Sequence, residues 1–170
     1  MSKSINLLLA IAFIFTVFSA KAQQPAKLGH IDMNALIEVM PETTKAKTAL
    51  ETQAKEIETE MTNLNEQYRK AMTEFNEKMN TYSDAIRQSK EQEIRDLIQR
   101  VQTFQEMSQS NFEKARNDQF QPIIDKANNA IKEVGKENGY IYIFNTGANV
   151  ILYNNGDDVL PLVKKKLGIQ

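Results

Sequence analysis

The chain has 170 residues, with 21 lysines and arginines against 22 aspartates and glutamates, a formal net charge of −1, and 41% hydrophobic residues. It has no cysteine, which excludes a disulfide framework and a lipid-modified N-terminal cysteine. The near-neutral balance argues against nucleic acid as a partner, because a phosphate backbone selects a strongly basic face.

Residues 1–22 read as a signal peptide. Lys3 supplies a short positive region, residues 7–18 form an apolar run too short to span a bilayer comfortably, and Ala20-Lys21-Ala22 has the small-x-small form of a cleavage site. Cleavage before Gln23 is expected, in preference to an uncleaved anchor. Removing Lys3 and Lys21 leaves 19 basic and 22 acidic residues, net −3, and no second apolar run suited to a stable membrane span. A Gln/Pro linker (23–26) follows. Residues 27–33, Lys-Leu-Gly-His-Ile-Asp-Met, form a strand candidate. Residues 34–40 suit about one helical turn, with Ala35, Leu36, Val39 and Met40 on its apolar side. Pro41 fits a helix start, where a missing N–H costs nothing, and Glu42 fits the first turn.

Residues 42–121 contain neither glycine nor proline. Leu50, Ile57, Leu64 and Ala71 recur every seven residues, and Ala54, Met61, Tyr68, Phe75 and Tyr82 form a second row four positions on. That is the seam of a coiled coil, on an arm of roughly 60 Å over residues 42–80. A second seam follows at Ile94, Leu97, Val101 and Phe104, then more loosely at Phe112, Ala115 and Phe120. Asn80-Thr81-Tyr82-Ser83-Asp84 lies between them, in residue types that favour caps and turns. A straight rod of about 120 Å would strand residues 28–33 far from the only other β-like region, at 140–153. A hairpin with its tip near 81–85 is therefore predicted.

Pro122 is expected to kink the returning helix or to divide it. Ile123, Ile124, Ala127, Ala130, Ile131 and Val134 then make a broad apolar face, Gly135 weakens the helix, and Asn138-Gly139 ends it. The apolar run 140–144 predicts a strand buried on both faces. Residues 145–147 turn the chain, 150–153 form a partner strand, and Asn154-Asn155-Gly156 ends it. Asp157-Asp158 should cap a last helix whose inner side is Val159, Leu160, Val163 and Leu167. Lys164, Lys165 and Lys166 suit its last turn and Gly168 its end.

The fold class is α+β: a long antiparallel helical-hairpin arm, a coiled coil over 42–120, inserted in a small β-containing body built from 23–41 and 121–170. A body this small buries such strands poorly alone, so assembly into an oligomer through it is expected.

The chemistry inventory argues against an enzyme. His30 and Asp32 share a strand face at i, i+2 and could imitate an acid/base couple, but a structural or surface histidine is the preferred reading. No zinc, redox, nucleotide or hydrolase motif occurs, and no cofactor or metal is expected. Met72, Met79, Tyr82 and Met107 lie beside or beyond the seams, and flexible methionines and aromatics there suit adaptable binding of varied apolar segments. The alternative is that they only widen the hairpin seam.

The ordered pattern resembles the Skp/OmpH family of periplasmic chaperones over essentially the whole mature chain. Lys27-Leu-Gly-His-Ile-Asp-Met-Asn-Ala-Leu resembles its opening strand, Met40-Pro-Glu its entry to the first long helix, and Thr81-Tyr-Ser-Asp-Ala-Ile-Arg-Gln-Ser-Lys the stretch around its arm tip. Gln121-Pro-Ile-Ile-Asp-Lys-Ala-Asn-Asn-Ala-Ile-Lys-Glu-Val-Gly-Lys-Glu-Asn-Gly-Tyr is similar to the family's most characteristic segment. The resemblance implies a periplasmic homotrimer whose β body unites the 28–33, 140–144 and 150–153 strands of three chains. Ile31, Ile141, Ile143, Val150 and Leu152 are then the expected oligomerisation core. It also implies arms around a cavity that holds unfolded outer-membrane proteins, with no nucleotide. One departure is charge: well-known members are strongly basic, whereas residues 42–120 here carry 12 basic and 15 acidic residues. The competing reading is a secreted structural or adaptor coiled coil that binds a folded partner through its arm tips.

Overall fold

The structure is a computed structural model that describes residues 26–147 and 151–169. The expected leader and Val150 lie outside the described residues. Strand β1 (Leu28–Ile31) opens the body. It ends two residues before the expected 33 because Asp32 turns away to cap helix α1 (Met33–Val39), its carboxylate accepting from the Asn34 and Ala35 amides at 2.9 and 3.1 Å. The helix is two turns rather than one. Leu36 is buried and Ile37 packs against the core, while Val39, expected on the apolar side, is exposed.

Met40, in extended conformation as the residue before a proline prefers, leads into helix α2 (Pro41–Lys78), with Pro41 in its first turn. The buried Thr43 hydroxyl donates to the Ile37 carbonyl, so its burial leaves no orphan group. Residues 79–83 make the turn. Thr81 bonds back to the Lys78 carbonyl, and Ser83 caps helix α3 (Asp84–Asn138) by accepting from the Ile86 amide.

Helices α2 and α3 run antiparallel as a hairpin. Leu64 meets Phe104 and Met107, while Ile57 and Met61 lie opposite Ser108 and Phe112. Leu50, Leu64, Ile94 and Leu97 are the buried members of the seam. Ala54, expected in it, is exposed. The buried Ser108 continues the seven-residue row of Ile94 and Val101, where a polar residue hid the periodicity.

Helix α3 does not divide at Pro122; it is continuous for 55 residues. Pro122 and Asp118, whose carbonyl loses its intrahelical donor there, are both exposed, so water can satisfy the freed group. Gly139 then caps the helix in the left-handed region at φ 72°.

The sheet is parallel, in the order β2-β1-β3, with β2 (Tyr142–Asn145) and β3 (Asp157–Asp158) on either side of β1. Two expectations are corrected here. Residues 140–144 are not buried on both faces: β2 starts at Tyr142, only Tyr140 and Ile143 of the run pack against the core, and Tyr142 is 62% and Phe144 46% exposed. The core gathers on one side of the sheet, where Val159 and Ile143 both approach Gly29. The partner strand is not at 150–153 either. The described residues 151–155 are non-strand, and Asp157–Asp158 takes the place beside β1. Gly156 permits this, since a Cβ there would lie 2.8 Å from the Leu28 carbonyl oxygen. The Val159 amide then donates to the His30 carbonyl at 2.9 Å. Asp158 still caps, accepting from the Leu160 amide at 2.9 Å at the start of helix α4 (Leu160–Leu167).

The core lies where the root of the arm meets the sheet. Ile31, Leu36 and Met40 pack with Ala46 of α2, with Ile123, Ala127, Ala130 and Val134 of α3, and with Val159 and Val163. Gly135 is buried and lets β2 come close, its missing Cβ standing 3.3 Å from Ile143 Cδ1.

Candidate binding surfaces

The arm carries its charge in a form that largely cancels itself. Glu74 pairs with Lys78 at 3.1 Å, Lys90 with Glu93 at 2.7 Å and Arg116 with Glu113 at 2.8 Å, each within one helix. The Lys78 ammonium holds the Glu74 carboxyl below the usual carboxylate range, and Glu74 in turn raises Lys78. Such pairs add little stability in water. Their consequence is that the arm offers no broad field of either sign.

Apolar groups are what the arm leaves open. Met107 is 56% exposed, and Met79, Ile86 and Ile98 are also exposed. Met107, Leu64 and Phe104 line a notch of about 420 Å³ on one side of the seam, rimmed by Glu60, Asp96 and Arg100. A second notch of about 300 Å³, lined by Ile57, Met61, Ser108 and Phe112, opens on the other side. Small Ser108 leaves it underfilled.

The four binding candidates fall in two places. Met72 and Tyr82 are half-buried and Met79 exposed at the tip end of the arm. Tyr82 leans on Phe75, ring centroids 6.5 Å apart. Its hydroxyl oxygen is buried without a hydrogen-bond partner, as is Arg87 Nε. Met107 lies opposite Leu64, about 35 Å along α3 from its start at the tip at 1.5 Å per residue. The structure therefore does not bring the four together. Ile86 and Ile98 escaped sequence reading because they stand outside the seven-residue rows.

The body holds the second surface. Of the expected oligomerisation residues, Ile31 is buried in the chain's own core and Ile143 packs against it, while Ile141 is 60% and Leu152 99% exposed. Leu28, Tyr142, Phe144 and Tyr153 join the exposed set. Leu28 and Phe144 are legible only once the register is known: Leu28 pairs with Tyr142 and His30 with Phe144, and residues paired across strands share a face.

Polar ties hold the body to the root of the arm. Lys126 of α3 bonds Glu42 of α2 and holds its carboxyl below the usual range. Lys166 reaches Glu133 at 3.1 Å and also bonds Glu137, joining α4 to α3 and keeping its ammonium pKa raised. Tyr140 donates to Asp157 at 2.8 Å beneath the Lys27 ammonium, which stands 4.1 Å from the ring centre. Burial, with that hydrogen bond, pushes the Tyr140 phenol up.

The acid/base pair suggested by His30 and Asp32 does not form a site, because the Asp32 carboxylate serves as the α1 cap. Among the described residues no group of three or more His, Cys, Asp or Glu side chains could hold a metal ion, and no helix is long and apolar enough to cross a membrane.

A family model described as "Outer membrane protein (OmpH-like)" matches residues 27–167. A search of curated proteins finds no match. Among solved structures, the chain is similar to an OmpH-like protein from Caulobacter crescentus CB15, described as a candidate outer membrane chaperone. The TM-score is 0.72 at 13% identity, and the similarity covers 86% of each chain. At that identity the likeness speaks for the fold.

Proposed function

The chain belongs to the OmpH-like outer membrane protein family, and from that premise we propose that it is an ATP-independent periplasmic holdase. It binds unfolded outer-membrane proteins between its arms and keeps them from aggregating. Three copies assemble through the open face of the body sheet, around Leu28, Tyr142, Phe144, Ile141 and Leu152, and their hairpins enclose the client.

The observation that carries this reading is the arm itself: long, self-neutralised in charge, and studded with exposed methionine and isoleucine. Flexible apolar side chains on a solvated scaffold suit many weak contacts with sequence-diverse apolar segments. Weak contacts release without fuel.

The test is to dilute a denaturant-unfolded outer-membrane barrel into buffer with and without the protein and to follow turbidity in the absence of nucleotide. Suppression near one oligomer per client is expected. Replacing Met72, Met79 and Met107 together by glutamine should weaken it while helicity holds. No suppression at excess would favour instead an adaptor that binds a folded partner at the arm tips.

A further inference from the structure

Glycine follows asparagine twice in the chain, at Asn138-Gly139 and at Asn155-Gly156. Both pairs border one cleft of about 860 Å³, together with Lys27, Leu28 and Ile141, and both asparagines are exposed. Water therefore reaches them alike, but their backbones differ. Asn138 is the last residue of α3. Its side-chain amide donates to the Val134 carbonyl at 2.9 Å, and the Gly139 amide donates to the Gly135 carbonyl. Asn155 lies in the non-strand run 151–155, and among the described residues no hydrogen bond holds its side chain or the Gly156 amide.

An unheld Asn-Gly pair carries its own reactants. The Gly156 amide nitrogen can attack the Asn155 side-chain carbonyl carbon, since glycine has no Cβ to obstruct the approach and leaves the backbone free to rotate into it. A bond forms between that nitrogen and Cγ, the Cγ–Nδ2 bond breaks, and Nδ2 leaves as ammonia with the proton of the Gly156 amide. Water then opens the cyclic imide. Opening at Cγ yields aspartate, whereas opening at the main-chain carbonyl yields isoaspartate, with the chain rerouted through the side-chain carbon. No enzyme, oxidant or cofactor is needed. At Asn138 the same step requires the Gly139 amide to leave Gly135 and the side chain to leave Val134, so the helix end must open first.

We propose that Asn155 deamidates in the folded protein by this route while α3 protects Asn138, and that the isoaspartyl product loosens β3 on β1. Gly156 passes so close to β1 that an added Cβ would lie 2.8 Å from the Leu28 carbonyl oxygen. Directly after it, Asp157 pairs with Gly29 and Asp158 with His30, and the Val159 amide donates to the His30 carbonyl at 2.9 Å. One extra main-chain carbon just before Gly156 displaces the backbone that sets this register.

Ageing the protein in mildly alkaline buffer, folded and in urea, with fragmentation mass spectrometry to place each mass change, tests this. In urea both asparagines should become acids at comparable rates. In the folded protein Asn155 should still react, while Asn138 slows by more than about tenfold because its reaction waits for the helix end to open. Isoaspartate and aspartate should both appear at position 155, the former read with a methyltransferase specific for isoaspartyl groups. Aspartate alone would mean direct hydrolysis and would overturn the imide route. Deuterium exchange at the Val159 amide should be faster in aged than in fresh protein, and Asn155→Gln, whose longer side chain closes the ring far more slowly, should show no such rise. Far-UV circular dichroism checks that the variant is folded. An unreactive Asn155 in the folded protein, or an Asn138 that reacts as fast, would overturn the inference. Val159 exchange that stays constant on ageing, or rises equally in the variant, would remove the link to β3.

Discussion

Gly29 shows how one missing side chain sets the geometry of the body. A Cβ there would lie 2.9 Å from Val159 Cγ1, 3.2 Å from Tyr140 and 3.3 Å from Ile143, so strand, C-terminal segment and helix end converge on the space it leaves. Gly29→Val is expected to cost about 1–3 kcal/mol by overpacking, read as a lower urea midpoint with an unchanged slope. Glu42 gives a second expectation at this scale. Its hydrogen bond to Lys126 holds the folded-state carboxyl below its ordinary range, so its stabilisation is present above that range. It is lost as pH falls through the folded-state value. The side chain is 40% exposed, which keeps the effect small. The acid side of a urea-midpoint profile below about pH 5 should flatten in Glu42→Gln; an identical profile would refute the coupling. The glutamate was legible in the sequence as a first-turn residue. Its lysine partner, 84 positions away, was not, because no local pattern encodes which turn of a returning helix will stand beside it.

Among the elements, the ones built on local periodicity were the most legible. Leu50, Ile57, Leu64 and Ala71 announce α2 because side chains seven apart return to one stripe. The loosening of the second seam after Phe104 reflects Ser108, a seam position filled by a small polar residue. Helix α3 shows the limit of reading a proline alone. The break expected at Pro122 does not occur, since a helix tolerates the lost bond when the freed carbonyl faces water. Pro122→Ala should restore that bond and raise stability by about 1–3 kcal/mol, seen as a higher thermal midpoint. A fall would mean that the proline has a packing role the exposed ring does not suggest. Strand β3 was illegible for a different reason. Asp157-Asp158 has little strand propensity and one of its side chains does cap α4, yet its backbone completes the sheet because Gly156 lets it reach β1.

The whole molecule is a small body from which a long, electrically balanced hairpin extends. On the proposed holdase reading the client is held by apolar contact, so binding should change less than about threefold between 50 and 500 mM salt, since exposed charge interactions are the ones salt screens. Fluorescence titration of a labelled unfolded barrel measures this; a steep fall with salt would show that charge capture dominates. The binding candidates were legible as residue types but not as a place. Met107 and the tip residues stand well apart, and the exposed Ile86 and Ile98 add contacts that no spacing rule marked.

The sequence by itself determined the hairpin's helices, the helix end at Gly139, the turn near residue 80 and the resemblance to a family. Each of these is written in residues close together in the chain, where side-chain spacing and backbone preference act directly. Only the tertiary structure decided that β1 lies between β2 and β3, that Ile31 and Ile143 turn into the chain's own core, and that Leu28, His30, Tyr142 and Phe144 remain on the open face. The physical reason is that strand pairing and one-sided layering depend on where the hairpin returns the chain. A one-residue change in register would exchange the buried and open faces of a strand without altering its composition.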